Sequence, residues 1–486
     1  MTQIERLSSA VAGLDTVLCG GFPKGGIYII QGPPGSGKTT LANQMCYAHA
    51  ASGGRALYVT LLSESHARML LHVSAMSFYD ASCLPDSMAY ISGFSALEDD
   101  GLPALVTLLR REVSARRSSV LVLDGVRAVG DRAENDMAFK RFIQELQLQA
   151  ALYECTVFLL TSVVTEISPP EHTMVDGIVE LADTRYDLRT ERGLFVKKLR
   201  VSDYMPGRHS CRITSDGLVV YPRLESALRT PSVPDDVPGS PVQSGIPDLD
   251  RMLFGGFPAT SSTALVGPSG VGKTTFGLQF LAASTEQEPG LLFSFHETPR
   301  RVREKARRLS LGLDPLVETN VVSLLWQAQT ENIQDALAYK LLDAIAERNV
   351  RRLFIDGLDG FWEAAIDVNR LGRFFAVLMN EIRARGVTVL FTLETREVLR
   401  RGLEMPLPFG SALIDNWIAL RFAETEARMR RLLAIIKVRD GDFDPTVRSF
   451  RIGPGGMVIG NPSDVPSHAL RDAATSLPSS LQDDRG

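Results

Sequence analysis

Short, continuous apolar runs alternate with helical stripes along this chain. Residues 27–30, 120–123 and 157–160 are such runs; their lack of polar alternation reads as strands buried on both faces. Leu105, Leu108, Leu109 and Val113 fall on one helical face ahead of the strand that ends in Asp124. Phe139, Phe142, Ile143 and Leu146 form the next stripe, ahead of Thr156. Ile333, Leu337, Leu341, Leu342 and Ile345 repeat the pattern before the strand into Asp356. Strands alternating with amphipathic helices predict an α/β fold, with mostly parallel sheets covered by helices on both faces.

The pattern occurs twice. Asp15 and Asp250 are 235 residues apart, as are the Gly-Gly-Phe-Pro runs at 20–23 and 255–258. The glycine-rich segment 32–40 returns at 267–275, again 235 residues on. The strand into Asp124 returns at Asp356, and Lys198-Leu-Arg200 returns as Lys437-Val-Arg439. Landmarks in one order at nearly constant offset indicate two copies of one domain, where length alone would suggest about three. The expected organisation is a first domain over 1–221, an extended proline-rich linker over 222–242 and a second domain over 243–460. The Ser-, Asp- and Pro-rich tail 461–486 is expected to be disordered.

Both glycine-rich segments fit G-x-x-x-x-G-K-[ST]: Gly32-Pro-Pro-Gly-Ser-Gly37-Lys38-Thr39 and Gly267-Pro-Ser-Gly-Val-Gly272-Lys273-Thr274. Glycines let backbone N–H groups converge on phosphates. The lysine adds a point charge for the β and γ phosphates, and the threonine hydroxyl holds Mg²⁺. Each follows a predicted strand (27–30, 262–266), with helical patterns from Leu41 and from Phe276. The candidate nucleotide-binding residues are Gly35, Ser36, Gly37, Lys38, Thr39 and Thr40, then Gly270, Val271, Gly272, Lys273, Thr274 and Thr275. Asp124 and Asp356 each end an apolar strand and precede a glycine. An Asx turn closing a strand is the plainer use of such a residue. Beside a phosphate loop it suits a Mg²⁺ ligand acting through water, with Thr39 and Thr274 completing the metal set.

Composition narrows the class. Lysine plus arginine is 52 and aspartate plus glutamate 57, giving a net charge of −5. That lacks the basic footprint of a dedicated nucleic-acid binder. No apolar run reaches the roughly 18 residues of a membrane span, and the first residues show no signal-peptide stretch. The five cysteines, an odd count without C-x-x-C spacing, argue for a reducing, cytoplasmic setting and for small buried hydrophobes.

Two such domains, each opening with Leu-Asp and then Gly-Gly-Phe-Pro, resemble the KaiC family of RecA-like ATPases. The runs 415–421, 437–439 and 450–460 add to the likeness. The resemblance implies ATP binding with Mg²⁺, slow hydrolysis, hexameric rings of identical chains with nucleotide between subunits, protein partners, and serine/threonine autophosphorylation in some members. It also implies a pair of consecutive glutamates, one of them a general base, after the strand that follows the phosphate-loop helix. The first copy reads Leu61-Leu62-Ser63-Glu64 there, with only Glu64 nearby; the second reads His296-Glu297. Neighbouring phosphoacceptors in the family correspond to Ser411-Ala412, one hydroxyl and one methyl. Lys198 with Arg200, and Lys437 with Arg439, match a pair that reaches the neighbouring subunit's γ-phosphate. Alternation at i and i+2 is expected to put each pair on one strand face. For a lone K-x-R, a solvated basic edge is the simpler reading; recurrence in both copies favours function.

Two other readings stay open. A RadA-like DNA recombinase would share the fold but needs basic, flexible loops after the Asp-ended strands. Here residues 127–136 and 361–367 carry acids among or instead of the bases. A non-catalytic, nucleotide-gated scaffold would account for the missing glutamates.

Overall fold

The computed structural model describes residues 4–61, 66–162, 171–186, 188–230, 232, 239–395, 414–425, 428–439 and 441–462. The chain divides into two compact units, Met1–Ala227 and Leu228–Gly486. Each is built on a nine-stranded sheet of the same order.

In the first unit the phosphate-loop strand Ile27–Gln31 lies between Thr156–Thr161 and Gly177–Tyr186, parallel to both. Beyond Thr156–Thr161 come Val120–Asp124, Ala56–Thr60 and Met88–Ser92, all parallel. On the other side, Arg189–Leu199, Arg208–Thr214 and Gly217–Tyr221 extend the sheet as antiparallel strands. The second unit repeats this, with Ser262–Gly267 at the same place between Thr388–Glu394 and Asn416–Thr425.

The strands are apolar throughout because both faces are covered. Ile27 and Ile29 pack into one cluster with Leu105, Leu109 and Phe142, while Tyr28 and Ile30 pack into another with Leu41 and Met45. Successive side chains thus feed opposite layers. The predicted stripes are buried, apart from Leu108, which is half-buried. In the second unit Phe293, Phe295, Phe361, Phe374 and Phe375 form an aromatic cluster with ring centroids 5.3–6.4 Å apart.

The recurring Leu-Asp and Gly-Gly-Phe-Pro signature is a structural clasp. Asp15 Oδ1 accepts from Ser9 N–H at 2.9 Å, and Asp250 Oδ1 from Ser244 N–H at 2.7 Å. Gly21 has φ 102°, and a Cβ there would lie 2.4 Å from the Leu7 carbonyl oxygen; at Gly256 (φ 125°) it would lie 2.5 Å from that of Val242. Only glycine lets the opening strand close so tightly on the turn.

The expected linker 222–242 is partly structured. Leu224 is fully buried in the first unit and begins the short helix Leu224–Ala227. Ser232 donates to Glu381 Oε2 at 2.6 Å and its carbonyl accepts from Asn380, both on the helix Leu371–Ala384. Of the expected tail, residues 463–486 lie outside the described residues. All five cysteines are free thiols. Cys46, Cys155 and Cys211 are buried, whereas Cys83 is half-buried and Cys19 is exposed, in a left-handed turn (φ 52°) after the helix Leu14–Val17. No helix among the described residues is long and apolar enough to cross a membrane.

Candidate functional site

Each glycine-rich loop leaves the C-terminal end of its strand and runs directly into a helix, Lys38–Ala51 or Lys273–Ala282. The helices start three residues earlier than their apolar pattern, so lysine and both threonines occupy the first turn. Gly37 caps the first helix at φ 103° and Gly272 the second at φ 120°. A Cβ at Gly37 would lie 2.7 Å from Ile213 Cδ1, and one at Gly272 2.5 Å from Ile452 Cδ1. At Gly35 and Gly270, φ is also positive and nothing lies within 4 Å, so the loop's outer side is open. Ser36 is buried, its hydroxyl without a hydrogen-bond partner among the described residues, and Val271 stands in its place in the second loop. Thr275 is buried and Thr40 half-buried.

Lys38 Nζ donates to the carbonyls of Gly32 (2.7 Å) and Pro33 (2.9 Å). Lys273 Nζ does the same to Gly267 (2.7 Å) and Pro268 (2.8 Å). Burial holds both ammonium groups below the usual lysine range.

Asp124 and Asp356 reach the loops across one intervening strand. Thr39 Oγ1 lies 3.4 Å from Asp124 Oδ2, and Thr274 Oγ1 3.1 Å from Asp356 Oδ2. Burial pushes both carboxyls up. Around Asp124, hydrogen bonds from Tyr58 and Thr39 oppose that shift; at Asp356 the charge of His296 does so. A hydroxyl and a carboxylate are hard oxygen donors, and one of each per site fits a Mg²⁺ that keeps most of its waters and binds phosphate oxygens.

The two aspartates are supported differently. Tyr58, buried in the sheet, donates to Asp124 Oδ2 at 2.7 Å. Thr392 donates to Asp356 Oδ1 at 3.1 Å and accepts from Gly357 N–H at 2.7 Å. A cavity of about 790 Å³ opens on the first loop, lined by Lys38, Thr39 and Asp124 on one side and by Arg68, His72 and Phe78 on another.

In the second unit Glu297 follows the strand Gly290–Ser294, one strand away from Asp356, and pairs with Lys305. His296 Nε2 lies 3.6 Å from Asp359 Oδ1. It sits against Gly357, where a Cβ would be 2.3 Å from Nε2. The Asp359 carboxylate beside it raises the imidazole above its ordinary value despite burial. Burial works against the Asp359 carboxylate, yet His296 holds it below the ordinary value. Glu64 and Ser411 lie outside the described residues.

The K-x-R pairs sit at the opposite edge of the sheet from their own loops. Lys198 pairs with Ile178 near the start of Gly177–Tyr186, whereas the phosphate loop follows the far end of the parallel strand Ile27–Gln31. The strand ends at Leu199, so alternation along it does not extend to Arg200; likewise Lys437 is the last strand residue and Arg439 lies in a turn. The side chains still converge. Lys198 donates to the His172 and Thr173 carbonyls and Arg200 to that of Thr173. Lys437 donates to the Ile414 carbonyl (2.7 Å) and Arg439 to Asp415 Oδ1 (3.0 Å).

The segments after the two aspartates are short helices, Arg127–Arg132 and Asp359–Glu363. Arg127 pairs with Asp131 and Arg132 with Glu98, and Phe361 is fully buried. Neither segment offers the unpaired basic loop that a recombinase requires.

The KaiC ATPase family model matches both units, over residues 7–225 and 242–464. The chain belongs to the KaiC ATPase family. It is 23% identical to the circadian clock oscillator protein KaiC of Picosynechococcus sp., an alignment covering 94% of this chain and 90% of that one. It is 25% identical to the circadian clock protein KaiC3 of Synechocystis sp., covering 94% and 92%. Family membership makes this a KaiC-like, ATP-binding P-loop protein with two RecA-like domains.

The raised His296 has a checkable consequence. Its interaction with Asp359 is fully present below the ordinary histidine value and is lost as pH rises through the higher folded value. Asp359→Asn should therefore lower the His296 titration midpoint, followed by NMR of the imidazole protons. An unchanged midpoint would show that Asp359 does not set it.

Proposed function

We propose that this chain is a slow Mg-ATPase that works as a homohexameric ring, with hydrolysis concentrated in the second unit. The observation that supports this best is the grouping in that unit of Lys273, Thr274, Asp356 and Glu297 along the C-terminal edge of one sheet. Lys273 would exchange its loop carbonyls for β and γ phosphate oxygens. Thr274 and Asp356 would hold Mg²⁺, which supplies charge neutralisation at the transferring phosphate. Glu297 takes the proton of the attacking water. In the first unit Lys38, Thr39 and Asp124 repeat the phosphate and metal groups, and ATP there serves mainly to hold the ring together. Leu61 is buried just ahead of the position where the family carries its glutamates.

Autophosphorylation extends the proposal: the same Glu297 would deprotonate a serine hydroxyl instead of water, with Ser411 as the acceptor. Lys198, Arg200, Lys437 and Arg439 would act on the nucleotide of an adjacent subunit, because their own loops lie at the far sheet edge. Such a site is complete only in a closed, heterologous ring, so ATP should promote assembly.

Two outcomes test this. Glu297→Gln should lower steady-state phosphate release from the second site by about 10²–10⁴-fold, while undiminished release would remove Glu297 from the mechanism. Lys437→Ala with Arg439→Ala should impair both turnover and nucleotide-dependent assembly in light scattering, leaving circular dichroism unchanged. A parent chain that stays monomeric in saturating Mg-ATP would contradict the ring.

A further inference from the structure

Glu297 is held at two points. Its N–H donates to Ser294 Oγ at 3.1 Å, and its carboxylate Oε1 is paired with Lys305 Nζ. Its other oxygen, Oε2, is buried without a hydrogen-bond partner among the described residues. A buried carboxylate oxygen without a partner is rare, since buried acceptors are nearly always paired.

The source of the anchoring cation is specific. Lys305 lies on the helix Pro299–Arg308, whose Val302 and Ala306 are buried against the unit. Arg303 and Arg307 of that helix are engaged elsewhere: Arg303 with Asp314 and Glu318, Arg307 with Asp314. Lys305 lies roughly 200° around the helix from each of them, at about 100° per residue, and faces Glu297. The first unit's helix His66–Val73 offers no equivalent: it reads His-Ala-Arg-Met-Leu-Leu-His-Val, with no lysine.

We infer that Lys305 is a positioning residue of the second site: by pairing with Oε1 it holds the Glu297 carboxylate in one rotamer. This rests on Glu297 being the base. In the step, the water oxygen bonds to the γ-phosphorus as the bond to the β,γ-bridging oxygen breaks. The water proton passes to the Glu297 carboxylate, and ADP leaves with the bridging oxygen. Lys305 touches neither phosphate nor water. It tethers the carboxylate, which then loses no time in unproductive rotamers.

The test uses the full chain with Mg-ATP, with assembly followed by light scattering, so that phosphate release reports chiefly the second site. Lys305→Met should lower kcat by roughly 10–100-fold and leave the equilibrium Kd for a non-hydrolysable ATP analogue unchanged. Lys305→Arg, which keeps the cation, should recover most of the rate. In a Glu297→Gln chain, Lys305→Met should cost nothing further, because the two residues act as one unit. Unchanged kcat in Lys305→Met, or a full additional loss on top of Glu297→Gln, would overturn the inference while leaving Glu297 as base. If Glu297→Gln itself has no effect, the base assignment falls, and the role of Lys305 with it.

Discussion

A carboxylate facing a loop hydroxyl, buried at Asp356 and half-buried at Asp124, organises both units. Asp124 and Asp356 end strands in the middle of apolar sheets, where burial opposes their charge. Each is tolerable there because donors converge on it: Thr39 and Tyr58 in one unit, Thr274 and Thr392 in the other. That requirement fixes the intervening strand, the C-terminal edge on which the loop must lie, and the tight turn of the glycine that follows each aspartate. The same geometry leaves a hard-oxygen pair at the mouth of a phosphate loop.

Duplication kept this frame and changed what surrounds it. Strand order is identical in the two sheets. Yet one aspartate leans on a buried phenol and the other on a threonine hydroxyl that is itself tied to the backbone of Gly357. The second unit adds a carboxylate anchored by Lys305 and an imidazole seated on Asp359. The first unit has buried Leu61 just ahead of that place. Shared architecture with divergent support is consistent with one unit specialised for chemistry and the other for holding nucleotide.

Much of this was legible in the amino-acid order, for identifiable reasons. Strands buried on both faces need uninterrupted apolar residues, so their runs stood out. The phosphate loop is local in sequence, and its backbone demands glycine at fixed places. What stayed hidden depends on contacts between distant segments. Tyr58 is 66 positions from Asp124, and nothing in Ala-Leu-Tyr-Val-Thr marks it as a partner. Thr392, 36 positions from Asp356, was hidden for the same reason; Lys305 lies only 8 positions from Glu297, but nothing in its strongly basic helix marks which cation pairs. The period-2 rule predicted one shared strand face for each K-x-R pair, but the strand ends between the cations, and backbone carbonyls gather the first pair while the Ile414 carbonyl and the Asp415 carboxylate hold the second. The linker looked extended because proline and glycine dominate it, whereas a buried Leu224 near its start and a hydrogen-bonded Ser232 midway along it are held by the units they belong to.

The central claim is that one chain carries two working but unequal nucleotide sites. Titration calorimetry with a non-hydrolysable ATP analogue and Mg²⁺ addresses it most directly. The account predicts two sites per chain in the parent protein, with Lys38→Ala and Lys273→Ala each removing a different one. A stoichiometry of one or none in the parent chain, or two undiminished sites in the double variant, would contradict it.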